Sequence, residues 1–365
     1  VDRMMPMSIS VSKKLPSLRE LNPTVSARTE QVIAKALEID PDNIPARNNL
    51  GNVYKYLGRF DEALNVLKEA EQLVIQEQGP DARDLATIYL NIGILYTQKQ
   101  DYELSLQYLT NSERIIRLNS VTDIISSAIY NNIGNVYFGM REWRKALKAF
   151  QQGLDIKESN RHPRMHVSYT NVASAYENLN VLDSARIFYQ RSIQSKKRVF
   201  NDTAYQLISV YGSYGVLLQK MGEHDLAKEY FDEALAFARI WYPEKHPIVS
   251  SCHHHLGGWN LTIGNNQEAL NEFHAAVRSA VFDFDLNDPY SNPSLDNDII
   301  SYPVLMNALH GKAEALLSLY HEHKDVEALK TCLQSLEVAN LLAAKMRSTY
   351  QGQESKLFIT EFSHS

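Results

Sequence analysis

Asparagine recurs at fixed places along this 365-residue chain, and its side-chain amide can both donate and accept hydrogen bonds. Four asparagines stand two residues before a small residue that itself recurs: Asn49, Asn91, Asn132 and Asn171. Asn52 and Asn135 follow that small residue by one position. Such amides could hold the main chain of an extended peptide, with Tyr56 and Phe138 as neighbouring apolar anchors. The alternative is that these asparagines only bridge adjacent helices.

Histidine and cysteine also cluster, at Cys252 to His255. Consecutive residues of a helix point about 100° apart, so three neighbouring histidines cannot ligate one metal ion. We therefore expect helix-surface and inter-repeat histidines and no metal site. Cys332 lies in an apolar helical stretch, which favours a buried thiol over a nucleophile paired with His310.

Three oxygen-bearing residues, Asp283, Asp285 and Asn287, begin like a calcium-binding loop. However, Asp288 stands where such a loop needs glycine, and Ser294 stands where it needs a bidentate glutamate. A solvated acidic insertion, or one that contacts a basic partner, is the better interpretation. Since no glycine-rich phosphate loop is present either, the sequence predicts no cofactor and no catalytic residue.

The elements that must position the asparagines are indicated by three residue positions that repeat together. Small residues recur every 39 to 42 positions at Gly51, Gly93, Gly134, Ala173, Gly215 and Gly257. A second small position follows twelve residues later, at Ala63, Ser105, Ala146, Ala185, Ala227 and Ala269. A large side chain follows four residues after that, at Leu67, Leu109, Phe150, Tyr189, Phe231 and Phe273. Small residues let two helices approach closely, and the large ones fill the seam between them.

This pattern resembles the tetratricopeptide (TPR) helix pair, with a period near 41 residues in place of the usual 34. Repeats of this longer period resemble those of kinesin light chains and many bacterial signalling proteins. The predicted fold is therefore an all-α, right-handed TPR solenoid of helix-turn-helix repeats. First helices line the concave face of such a solenoid, which is where the asparagines would lie.

The chain divides into four segments on these grounds. Residues 1–24 form an irregular N-terminal arm, and residues 25–280 form the solenoid of a half repeat plus six repeats. Residues 281–303 form an acidic insertion rich in Asn and Pro. Residues 304–365 form an atypical C-terminal hairpin followed by a truncated helix.

The C-terminal part resembles one particular family. The stretches Asn292–Leu295, Leu309–Tyr320, Ser335–Tyr350 and Glu354–Phe358 are similar to those of bacterial TPR–CHAT proteins, in which a TPR solenoid precedes a caspase- and separase-like cysteine protease domain. This resemblance implies the regulatory, partner-sensing half of a protease. No strand-rich segment is present to hold a His/Cys dyad, so no catalytic residue carries over.

Composition narrows the classes of partner. A formal charge of -6 argues against nucleic acid and anionic membranes, which favour a basic face. No apolar run reaches the roughly 18–20 residues that span a bilayer. Two widely spaced cysteines favour a reducing compartment, and hence the cytoplasm. We expect a protein or peptide ligand in the concave groove, whether the chain is a protease regulator, a stand-alone adaptor, or the sensor region of a histidine kinase or transcription regulator. Whatever follows Ser365 would discriminate between these.

Overall fold

The computed structural model describes residues 33, 35–57, 59–119, 124–200 and 205–349. The expected N-terminal arm and the truncated final helix, with its stretch Glu354–Phe358, lie outside the described residues.

Helices paired into successive hairpins make up nearly all of the described chain, after a short helical stretch at residues 35–39. In chain order they are α1 (Ile44–Tyr56), α2 (Phe60–Gln78), α3 (Leu85–Gln98), α4 (Tyr102–Leu118), α5 (Ile124–Gly139), α6 (Trp143–Ser159), α7 (His166–Asn178), α8 (Leu182–Phe200), α9 (Leu207–Lys220), α10 (His224–Trp241), α11 (Pro247–Thr262), α12 (Asn266–Ala280), α13 (Tyr302–His323) and α14 (Val326–Thr349). Odd-numbered helices are the first helices of the hairpins and even-numbered helices the second. The chain is an all-α TPR solenoid, as the repeats predict.

The turn between the two helices has the same backbone conformation in each hairpin from the second to the sixth. Its middle residue has a positive φ at Gln100 (59°), Arg141 (58°), Asn180 (59°), Gly222 (81°) and Gly264 (80°). Glycine adopts this left-handed region without a steric penalty and asparagine tolerates it, so the turns at Gln100 and Arg141 adopt it against local preference. The packing of the two helices therefore fixes the turn.

Inside each hairpin the small residue of the first helix faces the large residue of the second. A Cβ atom on Gly51 would lie 2.6 Å from Leu67 Cγ, and one on Gly134 would lie 2.3 Å from Phe150 Cδ1. Both large side chains are almost completely buried. The pairing of small and large residues read from the sequence is therefore the hairpin core.

Residues 281–300 depart from the solvated insertion that the sequence suggested. Val281, Phe284 and Pro293 are buried, and Val281 forms an isolated antiparallel bridge with Ile299. Lys245 Nζ donates to Phe284 O at 2.7 Å, while Asp298 N donates to the carboxylate of Asp283. The segment is thus packed onto the last repeats, since its apolar side chains and main-chain oxygens find partners there.

Both cysteines, Cys252 and Cys332, are buried free thiols. Burial raises the pKa of Cys252 to about 12, and it also raises the pKa of Cys332. Neither sulfur is a thiolate near neutral pH, and Cys332 is buried as its apolar helical stretch predicts.

None of the described helices is long and apolar enough to cross a membrane.

Candidate functional site

First helices lie closer together than second helices along the array. α1 packs on α3, α3 on α5, α5 on α7, α9 on α11 and α11 on α13, whereas second helices make no comparable contacts with one another. Stacked pairs whose first helices are closer must curve toward them. The first helices therefore line the inner, concave face, and this face carries the predicted asparagines.

At the N-terminal end of this face, α1 and α3 share a network of hydrogen bonds. The buried amide of Asn91 donates to Asn48 Oδ1 at 2.9 Å and accepts from Lys55 Nζ at 3.3 Å. Lys55 Nζ also donates to Asn52 Oδ1 at 2.7 Å. We call Asn48, Asn52, Lys55 and Asn91 the amide–lysine cluster. It brings together two of the predicted residues, Asn52 and Asn91, through a lysine that the sequence did not single out.

Lys55 gives this cluster its charge. Burial lowers the pKa of its ammonium group, and among the described residues it makes no ion pair. An ammonium group has three donors, and the two amide oxygens use two of them. The cluster therefore offers one charged donor on the concave face, suited to a carbonyl or carboxylate oxygen.

The other predicted asparagines lie apart from this cluster. Asn49 and Asn135 are exposed, and Asn171 is half-buried. Asn132 is also half-buried, and its amide donates at 2.8 Å to Ala128 O, one turn earlier in its own helix. These four do not form a continuous row of free amides.

Of the two proposed apolar anchors, only Phe138 can be placed. The ring of Phe138 lies 4.8 Å from that of Trp143 and 6.4 Å from that of Phe150, so it packs within its own hairpin. The side chain of Tyr56 lies outside the described part of the structure.

Sequence reasoning missed Asn48 and Lys55, although a signal was present. Lys55 stands three residues after Asn52, and residues at that spacing share one face of a helix. Asn48 stands four residues before Asn52, on the same face. A search for polar residues three or four positions before and after Asn52 would have found both Asn48 and Lys55.

A second polar centre lies further along the concave face. Glu177 of α7 accepts from Tyr189 Oη at 2.9 Å and from Lys220 Nζ of α9 at 2.5 Å. Here the carboxylate and ammonium neutralise each other. The charge of Lys55 therefore distinguishes the N-terminal end of the face from its middle.

The three consecutive histidines of α11 point in different directions. His253 is buried with Nδ1 2.7 Å from Glu272 Oε2, so the expectation of a surface position is wrong for it. His254 contacts Phe273, and His255 stacks on Phe231 with ring centroids 5.6 Å apart. Across the described residues no three His, Cys, Asp or Glu side chains are grouped to hold a metal ion.

Two sequence-family models, both described as tetratricopeptide repeat, match this chain. One matches residues 43–117 and 206–280, and the other matches residues 127–159 and 167–203. Together they cover more than half of the chain and all six hairpins from α1 to α12.

Two plant proteins are similar in sequence. Anaphase-promoting complex subunit 6 of Arabidopsis thaliana is 26% identical over 167 residues, which is 46% of this chain and 28% of that protein. Protein KINESIN LIGHT CHAIN-RELATED 1 of the same organism is 19% identical over 233 residues, 62% of this chain and 38% of that protein. The matched region thus spans well under half the length of either relative.

Solved structures share the fold at low sequence identity. The apo form of RapI is 13% identical, with a TM-score of 0.58 over 84% of this chain and 99% of its own. A Rap protein complexed with Competence and Sporulation Factor is 13% identical, with a TM-score of 0.55 over 86% of this chain and 81% of its own.

Proposed function

Because the chain belongs to the tetratricopeptide-repeat family, we propose that it is a non-catalytic scaffold that binds an extended segment of another protein along its concave face. The amide–lysine cluster is the observation that carries this proposal. It presents a charged donor beside ordered amides, where two first helices meet.

An extended peptide fits this arrangement better than a folded surface does. Its carbonyl groups are free of internal hydrogen bonds, and a C-terminal or side-chain carboxylate would meet the unpaired charge of Lys55. A Rap protein of similar fold is complexed with Competence and Sporulation Factor, which supports proposing a ligand-binding solenoid. Nucleic acid is not the proposed partner.

The experiment that tests this proposal uses a displayed library of short random peptides selected against the full chain. Binders selected on the intact protein are then measured against Lys55→Met and against Lys330→Met. Lys330 pairs with Glu327 at the surface of α14, far along the array, and serves as the matched control. We expect Lys55→Met to weaken binding about tenfold and Lys330→Met to leave it unchanged. Failure to select any binder, or equal binding by all three proteins, would contradict the proposal.

A narrower proposal rests on the resemblance to TPR–CHAT proteins. In that setting the solenoid would recognise a partner or trigger and hold a cysteine protease domain inactive until then, in the cytoplasm. The stretches within residues 292–350 that are similar to TPR–CHAT proteins support this narrower proposal. The test is the intact mass of the protein from its own cell. A mass well above 41.6 kDa with a His/Cys protease fold in the added sequence supports it, and a mass near 41.6 kDa leaves a stand-alone adaptor.

A further inference from the structure

Four helix ends meet at one edge of the solenoid, opposite the turns inside the hairpins. α6 and α8 end there, while α7 and α9 begin there. Lysines from the two ending helices, Lys157 and Lys196, lie next to the starts of α7 and α9. We call this place the Lys157–Lys196 edge.

Both lysines donate to neutral oxygens. Lys196 is 8% exposed, and its Nζ donates to Gln206 O at 2.6 Å. Lys157 Nζ donates to Ser168 Oγ at 3.0 Å. Neither forms an ion pair within the described residues. Burial lowers the pKa of Lys196 to about 8, so the group is still mainly protonated at neutral pH. Two positive charges are therefore held at this edge, and none of the described carboxylates pairs with them.

The first turn of α7 lies between these lysines and has unused hydrogen-bonding capacity. Met165 stands at the N-cap, where its side chain cannot accept from the first-turn amides. His166 is 8% exposed, and its buried Nδ1 has no hydrogen-bond partner. The positive end of the helix dipole adds to the lysine charges here.

A third cation, Arg164, completes the group. Burial, followed by the charges of Lys196, Lys157 and Arg164, lowers the pKa of His166 to about 4. The hydrogen bonds place them around the first turn of α7: Lys157 donates to Ser168, and Lys196 lies one turn after Ser192, whose Oγ donates to His166 O at 2.9 Å. Arg164 stands two residues before His166. The carboxylate of Glu158 accepts from Tyr169 Oη at 3.2 Å and, within the described residues, forms no ion pair with these three cations. The three cations form no ion pair within the described residues, although the chain as a whole carries a formal charge of -6.

We propose that the Lys157–Lys196 edge binds a phosphate group, held by Lys157, Lys196 and Arg164 at the N-terminus of α7. A phosphate dianion matches the excess positive charge better than a single carboxylate does. Its several oxygens can accept from donors on different elements at once, and helix N-termini favour such anions. This site lies at the edge of the array and is independent of the concave face and of the function proposed for it.

The test is calorimetric titration of the full chain with inorganic phosphate near neutral pH, with sodium acetate at matched ionic strength as the comparison. We expect saturable binding of phosphate, and a loss of about tenfold or more in Lys157→Met/Lys196→Met. Lys330→Met, which removes a surface lysine of α14 outside both proposed sites, is the control and should bind phosphate normally. Absence of saturable binding, or equal binding of acetate, overturns the proposal.

A second variant covers the case in which the buried double substitution does not fold. Arg164 is exposed, so Arg164→Gln removes one cation without disturbing the core. We expect it to weaken phosphate binding severalfold with unchanged helix content by circular dichroism. Unchanged affinity in Arg164→Gln together with unchanged affinity in Lys157→Met alone would overturn the site.

A phosphoserine peptide and its unphosphorylated form distinguish the source of the phosphate. Binding of the phosphopeptide tighter than free phosphate supports a phosphorylated partner, and binding no tighter supports a free phosphate ligand. Equal binding of the two peptides shows that the phosphate group is not recognised and contradicts the proposal.

Discussion

Gly311 of α13 lies against the ring of Phe273 of α12, so closely that a Cβ atom on Gly311 would come within 2.2 Å of Phe273 Cε1. The same ring also faces Gly257 of its own hairpin, where a Cβ atom would lie 2.9 Å away. One phenyl ring therefore fills the seam within the sixth hairpin and the seam to the seventh.

Substitution of Gly311 by alanine should loosen the last hairpin. The added methyl group must displace a buried ring, so we expect Gly311→Ala to lower the free energy of unfolding by about 2 kcal/mol. Chemical denaturation measures it. Gly258, a helical glycine with nothing within 4 Å of its Cβ position, is the matched control, and Gly258→Ala should instead stabilise by up to about 1 kcal/mol. Equal effects of the two substitutions would show that the ring contact is unimportant.

A second prediction concerns Ser112 of α4, three residues after the large residue Leu109. Ser112 Oγ donates at 2.6 Å to Ala86 O in the first turn of α3, and Ser192 makes the equivalent bond to His166 O at 2.9 Å. Ser112→Ala should lower the free energy of unfolding by about 1 kcal/mol, because a buried hydrogen bond is lost. Alanine itself fits, since Ala70 occupies this position in the first hairpin. No change in the denaturation midpoint would mean that the hydrogen bond adds nothing to stability.

The asparagines could bind a peptide or only bridge adjacent helices, and the free energy of unfolding of alanine variants separates these two roles. Asn91→Ala removes a buried amide that joins Asn48 and Lys55, so we expect about 1–2 kcal/mol lower stability with unchanged helix content. Asn135 is exposed, and Asn135→Ala should change stability by less than about 0.5 kcal/mol. Thermal unfolding of both variants checks this. Equal stability of both variants would argue that Asn91 does not bridge α1 and α3.

Much of the array could be predicted because the same small and large residues recur at the same positions in successive repeats. The small and large positions fix which helices pair and which side chains fill the seams, as Gly51 with Leu67 and Gly134 with Phe150 show. Periodicity also placed Asn91 on the first-helix face. It could not show that the amide of Asn91 is already bonded to Asn48, 43 positions earlier in the chain, because that depends on how two hairpins stack. The packing of residues 281–300 is likewise set by distant lysines that follow no period.

One of those lysines gives a pH-dependent prediction. Lys312 is fully buried, donates to Asn292 Oδ1 at 2.9 Å and faces His274 of α12 and Asp288 of the insertion. Burial lowers its pKa from 10.5 to about 7. Between these values the unfolded chain binds more protons than the folded one, so the free energy of unfolding should rise with pH.

The measurement is urea denaturation from neutral pH to about pH 10 for the intact protein and for Lys312→Met. The intact protein should gain at most about 1.4 kcal/mol per pH unit relative to the variant. His274, whose pKa burial lowers to about 4, does not change charge in this range. Parallel pH curves for the two proteins would refute the prediction.

The double use of Phe273 sets where the array can change length. Each of the first six hairpins carries its own large side chain sixteen residues after its small residue. In the seventh hairpin, α14 contains no aromatic residue, and Ala328 and Cys332 are its residues buried beside Phe273 in the core. The seventh hairpin therefore packs against the ring of the sixth hairpin and offers no ring to a hairpin that would follow it. We therefore expect that a hairpin within residues 44–280, duplicated by evolution or by protein engineering, brings its own side chain to fill the seam. A second copy of α13 and α14 placed after the first would find no aromatic ring in α14 to pack against its Gly311.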